Sequence, residues 1–400
     1  MGQRCHAALI AAARPSVKRN RRTPAARPPH PPLWRATITP LASIIGSGFL
    51  VLGPILMASY GAWAPAVMLL LCLAAWMLGG AVRRNIARIA AGPRSAAEER
   101  LDQVADAVLA FAYVISVAYY LNLFGAFALE KTPWHGDLAR RLLTTATFLV
   151  ILATGWFRGF SALERMEQVA VTLKLSVIAG LIAGMAAFFA SRAAEGALTL
   201  PQGALSGWPA ITLAFGLIVT VQGFETSRYL GDQYDAPTRI RSMRLAQLVS
   251  TGIYLVYILL LAYVFRAEEI PMSETGIIAL MERVAPILPA LLILAALMAQ
   301  FSAAVADTGG AGGLAADFTR GRLSPRGGYA VLTGLGVALT WVSEIYEIIA
   351  YASRAFALYY GIQALIAALG SRRDPARAIW FLALALAGLA MAVFGTPAEG

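Results

Sequence analysis

The chain has 400 residues, of which 58% are hydrophobic and only 14% charged, and its mean hydropathy is +0.66. Soluble domains carry about 25% charged residues, so a chain this apolar cannot cover itself with polar groups; a soluble enzyme, a disordered chain and a coiled coil are excluded. Thirty-three Lys+Arg against 22 Asp+Glu give a net charge of +11, and two cysteines, Cys5 and Cys72, rule out a disulfide framework. His6, His30 and His135 sit in a tail or a loop, so no histidine-based catalytic or metal cluster is expected.

Residues 1–35 carry eight basic side chains, no acid and the run Pro28-Pro29-His30-Pro31-Pro32. Such a segment cannot build a core, and disorder is expected. A cytoplasmic tail on anionic lipid, an over-extended gene start and an Arg-rich transit peptide all fit it.

About eleven apolar spans follow, each near the ~20 residues a bilayer core requires. They fall at 38–60, 63–82, 104–129, 139–157, 166–190, 208–230, 244–265, 287–314, 328–343, 345–370 and 377–395. With the tail inside, 24 Lys and Arg lie on the cytoplasmic side and 6 outside, which orients the chain by the positive-inside rule. The C-terminus is then external. The outer loop 266–286 holds Glu268, Glu269, Glu274 and Glu282, and its apolar spacing suggests a short surface helix.

Two spans are interrupted. Span 1 reads Ile44-Ile45-Gly46-Ser47-Gly48-Phe49, and span 6 reads Gln222-Gly223-Phe224-Glu225-Thr226-Ser227-Arg228. Glycines weaken the helix, and broken helix is tolerated in lipid only where it lines a protein-filled or watery cavity. Half-helix N-termini attract anions and freed carbonyls attract cations. Close helix packing is the other reading of Gly46 and Gly48. Spans 1 and 6 open two five-helix blocks, and interrupted helices at corresponding places in two halves point to a transporter site. Five spans per block make the second block enter from the opposite side, so the repeats are inverted. The division expected is a tail (1–35), two repeats (36–191 and 206–370) and one further helix (371–400).

The Gly-Ser-Gly of span 1, the Gly223-Phe224-Glu225 of span 6 and Lys174 in Val171-Thr172-Leu173-Lys174-Leu175 resemble, in order and spacing, the signatures of the amino acid–polyamine–organocation transporter superfamily. This resemblance implies an all-α membrane protein of the LeuT type, with a 5+5 inverted repeat and discontinuous helices 1 and 6. It implies that the amides of Gly46, Ser47 and Gly48 hold a substrate carboxylate. Carbonyls near Gln222 and Gly223 would hold an amine, and Phe224 would close over the substrate. In related transporters a sodium ion sits between spans 1 and 8, and in proton-coupled members the fifth-helix lysine takes its place. Lys174 is therefore expected on freed carbonyls of span 1 and on polar atoms of span 8 such as Ser302 or Asp307. It would act either as a proton carrier or as one half of a static Lys–Asp pair.

Other intramembrane polar groups are functional candidates by default, because they are costly in lipid. Tyr119 and Tyr120 sit in mid-span and suit a pocket wall. Arg354 lies in span 10, the repeat partner of span 5, and its offset from Lys174, 180 residues, is close to the 176 that separate Ser47 and Gly223. A structural Arg354–Glu225 pair follows, with direct binding of an acidic substrate by Arg354 as the competitor. Arg228, Asp232 and Asp235 are candidates for an inner gate.

The function expected is secondary active transport of amino acids or related organic amines across the bacterial inner membrane, coupled to protons. The alternatives are a sodium-coupled or exchange carrier for another small solute, and a non-transporting sensor of permease fold. No enzyme activity, cofactor, metal or nucleic-acid partner is expected.

Overall fold

The computed structural model of the chain describes residues 33–396, apart from positions 47, 135, 232, 267–268, 270–275, 320 and 344; the side chains of 276, 317 and 345–350 are also outside the described set. The tail up to residue 32, Ser47, Asp232, Glu268 and Glu274 therefore lie outside the described residues.

Thirteen α-helices make up the described fold. The first two, α1 (Leu33–Ile44) and α2 (Gly48–Tyr60), are bent by 45° at the break between them. Then come α3 (Ala64–Ala90), α4 (Ala96–Leu129), α5 (Asp137–Arg158) and α6 (Phe160–Ala194). The second interrupted stretch begins with α7 (Gly207–Gly216) and passes into two 3₁₀ turns, Leu217–Val221 and Phe224–Tyr229. It is followed by α8 (Ala236–Ala262), α9 (Gly276–Val284), α10 (Leu288–Phe318), α11 (Pro325–Val342), α12 (Ile345–Leu369) and α13 (Pro375–Phe394). Pairing between extended segments is limited, among the described residues, to one antiparallel bridge, Gly61 to Gln202.

Helix starts are written locally. Ser95 and Glu98 form a reciprocal capping box at α4, satisfying backbone donors that have no partner within the helix. Asp235, Ser324 and Asp374 cap α8, α11 and α13, each followed by a proline in the first turn. Because of its cap, α4 starts eight residues before the expected span boundary. The first helix starts at Leu33, so Arg35, expected in the tail, is already helical.

Nine described helical stretches are long and apolar enough to cross a membrane, or ten if α1 and α2 form one bent span. The ninth expected span, 328–343, falls on α11, whose 18 residues include Arg326 and four glycines and do not reach the same apolarity. In the outer loop the short helix is present as α9, but Ile277, Ile278, Leu280 and Met281 are buried, so one face packs inward rather than lying on the surface. Arg283 in its last turn pairs with Glu269 at 2.9 Å.

The centre of the bundle is held by α4, α10 and α12: α10 packs on α6 and α4, and α12 on α4 and α13. Exposed side chains of the outer helices are largely apolar, among them Leu70, Phe157, Leu248 and Leu386, as a lipid-facing surface requires. These stretches and this surface define an integral membrane protein.

Candidate functional site

The two interrupted stretches meet directly. A Cβ placed on Gly48 would lie 2.7 Å from the Thr220 Cα, and one on Gly223 would lie 2.5 Å from the Ser43 Oγ. Each break thus docks on the other through a glycine. Gly223 also has φ +112°, a conformation that side chains with a Cβ rarely adopt. Gly46 is less restricted, with Ala303 and Tyr120 as its side-chain neighbours.

Ending a helix strands its last carbonyls, and four of those at the breaks find side-chain partners. Lys174 of α6, fully buried, donates from Nζ to Ala42 O (2.9 Å), Ile45 O (2.6 Å) and the Ser302 hydroxyl of α10 (2.8 Å). The Tyr254 hydroxyl of α8 lies 3.0 Å from Ile44 O and 2.7 Å from Thr220 O, reaching one carbonyl of each break. A buried ammonium needs this density of acceptors to offset the loss of water.

Asp307 is fully buried on α10. It does not pair with Lys174; its carboxylate accepts from the Ser43 hydroxyl (2.9 Å) and the Ser116 hydroxyl (2.7 Å). The static Lys–Asp pair is thus not formed, because serines of α1 and α4 take the acid and the lysine is saturated by α1 and Ser302.

In the second break, Glu225 Oε2 accepts from the Gly223 amide (2.9 Å) and the Tyr360 hydroxyl (2.6 Å). Phe224 stacks on Tyr360 with ring centroids 4.8 Å apart. Gln222 donates from Nε2 to the Tyr120 hydroxyl at 2.8 Å, and the Tyr119 ring lies 6.0 Å from that of Tyr120. Gly46, Gly48, Gln222, Gly223, Phe224, Tyr119, Lys174, Ser302, Asp307 and Glu225 are therefore gathered around one crossing, and Ser47 is outside the described residues.

Arg354 is not there, and the expected Arg354–Glu225 pair is not formed. Arg354 is exposed, while its neighbour Ser353 donates to Gly216 O (2.6 Å) beside Thr396, level with the end of α13. The face of α12 that looks inward carries Phe356, Tyr360 and Gln363, and Arg354 is about half a turn away from it at 100° per residue. A guanidinium at such a place can extend towards water rather than require a buried acid.

Arg228 is engaged differently from expectation. It pairs with Asp102 of α4 and donates to Gln363 of α12, while Arg94 holds the other Asp102 oxygen at 2.7 Å. Asn85 of α3 donates to Gln363 Oε1 at 2.7 Å. Asp235 instead caps α8, accepting from the Thr238 amide at 2.9 Å. A chain of polar side chains therefore ties α3, α4 and α12 to the end of the second break.

Several of these residues carry weak sequence signals. Tyr254 and Tyr360 are tyrosines in apolar helices, and Asp102 lies among the charges of a helix start. Glu167, buried on α6 two turns before Lys174, is hidden in the sequence among the polar neighbours Glu164, Arg165 and Gln168. Among the described residues no group of three or more His, Cys, Asp or Glu could hold a metal ion.

Interrupted helices crossing at a buried polar centre inside a lipid-facing bundle describe a membrane transport protein. A family model described as APC superfamily transporter matches residues 27–395. The chain is also 39% identical, over 377 residues, to an uncharacterized protein of Aquifex aeolicus (strain VF5), covering 92% of each chain. The chain belongs to the APC superfamily of transporters.

Proposed function

We propose that this transporter carries amino acids or related organic amines by proton-coupled secondary active transport. Its helices form a LeuT-type pair of inverted five-helix repeats, 36–191 and 206–370, followed by one further helix. Alternating access rocks the surrounding helices about the crossing of the two breaks. The chain sits in a bacterial inner membrane with its N-terminus in the cytoplasm and its C-terminus outside.

The observation that carries this reading is the Lys174 ammonium on Ala42 O, Ile45 O and Ser302. It occupies a cage of oxygens of the kind that would otherwise suit a sodium ion, beside the helix end where a substrate carboxylate would dock. A lysine there can bind and release a proton as the cage opens and closes. The half-helix starting at Gly48 offers its first amides to a carboxylate, and an amine would be received beside Gln222, because Gly223 O already accepts from the Thr226 amide and hydroxyl.

The test is uptake by proteoliposomes. Purified protein is reconstituted with an inside-alkaline pH gradient, and accumulation of radiolabelled amino acids and polyamines is measured. Accumulation should collapse with a protonophore and should not require sodium. Lys174→Gln should abolish dependence on the gradient. Sodium-dependent accumulation, or an unchanged pH response in Lys174→Gln, would overturn the proton role; transport of none of these solutes would overturn the substrate class.

A further inference from the structure

Glu225 and Asp307 are both completely enclosed at the crossing of the breaks. Among the described residues, no lysine or arginine forms an ion pair with either. The basic groups nearest in the fold are committed elsewhere: Lys174 to Ala42 O, Ile45 O and Ser302, and Arg228 to Asp102 and Gln363. Arg354 is exposed at the far side of α12. The Ser43 hydroxyl that donates to Asp307 lies against Gly223, whose amide donates to Glu225, so the two carboxylates flank the same point of the crossing.

Polar atoms without a partner collect at the same place. Glu225 Oε1, Gln222 Oε1 and the Tyr113 hydroxyl make no hydrogen bond, although their residues are at most 1% exposed. Two of these three atoms can only accept. Aromatic faces line the enclosure: Phe224 stacks on Tyr360, Phe356 lies 6.4 Å from Tyr360, and Tyr113 lies 6.2 Å from Phe356.

Glu225, a buried acid with one unused oxygen, and Asp307, a buried acid held only by two serine hydroxyls, call for positive charge, and aromatic faces favour an organic cation. A zwitterionic neutral amino acid brings one ammonium and one carboxylate, which leaves the enclosure with its excess of negative charge. We infer that the site selects substrates with a cationic group in addition to one amine: dibasic amino acids or diamines. The extra cation is received by Glu225 Oε1 and Gln222 Oε1, and the other amine lies towards Asp307. This inference rests on the amine-transporter reading above and narrows it.

Thermal-shift titration of the full-length protein in detergent tests it, with arginine, lysine, putrescine, leucine and glutamate as probes. A ligand that binds the folded state raises the melting midpoint with dose. Arginine, lysine or putrescine should act at concentrations about 10-fold or more below those for leucine, and glutamate should be inert. Glu225→Gln and Asp307→Asn should each weaken the cationic probes by about 10-fold or more, the usual scale for losing a charged hydrogen-bond partner. Full affinity for the cations in both variants would overturn the inference. If a variant does not fold, the selectivity of the unmodified protein decides alone. Leucine binding as tightly as the cations overturns the inference and leaves the amine-transporter reading standing. Silence with every amine overturns both.

Discussion

Gly48 rests against Thr220 so closely that a Cβ there would fall 2.6 Å from the Thr220 Cβ and 2.7 Å from its Cα. Backbone cannot yield as a side-chain tip can. Gly48→Ala should therefore separate the two breaks and lower stability by about 1–3 kcal/mol, the usual range for overpacking. The melting midpoint of the purified protein checks this. Gly46→Ala, whose added Cβ meets the Ser43 carbonyl and Ala303 at 3.0 and 3.1 Å, should cost less.

Tyr254→Phe removes one oxygen and leaves Ile44 O and Thr220 O without their shared hydroxyl. A buried acceptor left unsatisfied costs about 1–3 kcal/mol. A lower midpoint with unchanged helical content by circular dichroism is expected. An unchanged midpoint would show that water replaces the hydroxyl.

Lys174 should show graded sensitivity. Ser302→Ala removes one of its three acceptors and leaves both carbonyls, so a loss of about 1 kcal/mol is expected. Lys174→Ala strands both carbonyls and opens a void, and should lower the midpoint clearly more. Equal effects of the two changes would contradict the geometry.

Asp102→Asn leaves the Arg228 guanidinium, only 7% exposed, without its carboxylate. Breaking one side of a buried ion pair costs about 3–5 kcal/mol. Adding Arg228→Gln to Asp102→Asn should recover part of that loss, because the uncompensated charge is gone. A double-mutant cycle on the melting midpoint measures the coupling.

Arg354→Ala should be nearly silent, within about 0.5 kcal/mol, as expected for an exposed side chain that forms no ion pair among the described residues. A large destabilisation would restore a structural role for it.

The breaks at Gly46–Gly48 and Gly223 are legible in the sequence because glycines and charges are costly inside an apolar run and seldom stand there without a role. Lys174 is legible as a buried charge for the same reason, while its neighbours on α1 and α10 are implied by the family resemblance, which offers Ser302 and Asp307 alike; only Ser302 is its partner. Helix rotation is not legible. The offset along the chain assigns Arg354 to the core, but a displacement of two residues from Phe356 turns a side chain to about the opposite side of the helix. Tyr254 is hidden because a tyrosine in an apolar helix reads equally as packing or as a membrane-interface residue. Asp102 is hidden because an acid near a helix start already has a role there. Its partner Arg228 lies 126 residues away, a separation over which no local pattern operates.

The hydroxyl of Tyr254 also limits how the molecule can change shape. Pulling α1 away from the 217–229 segment would expose two carbonyls at once within an apolar interior, and the docked glycines leave no slack to absorb the strain. The two interrupted helices should therefore turn as one axle with α8 as its pin. The surfaces that slide are then those facing α4 and α10, where contact is made through side-chain tips, Tyr120 with Gln222 and Asp307 with Ser43, that can change partners one at a time.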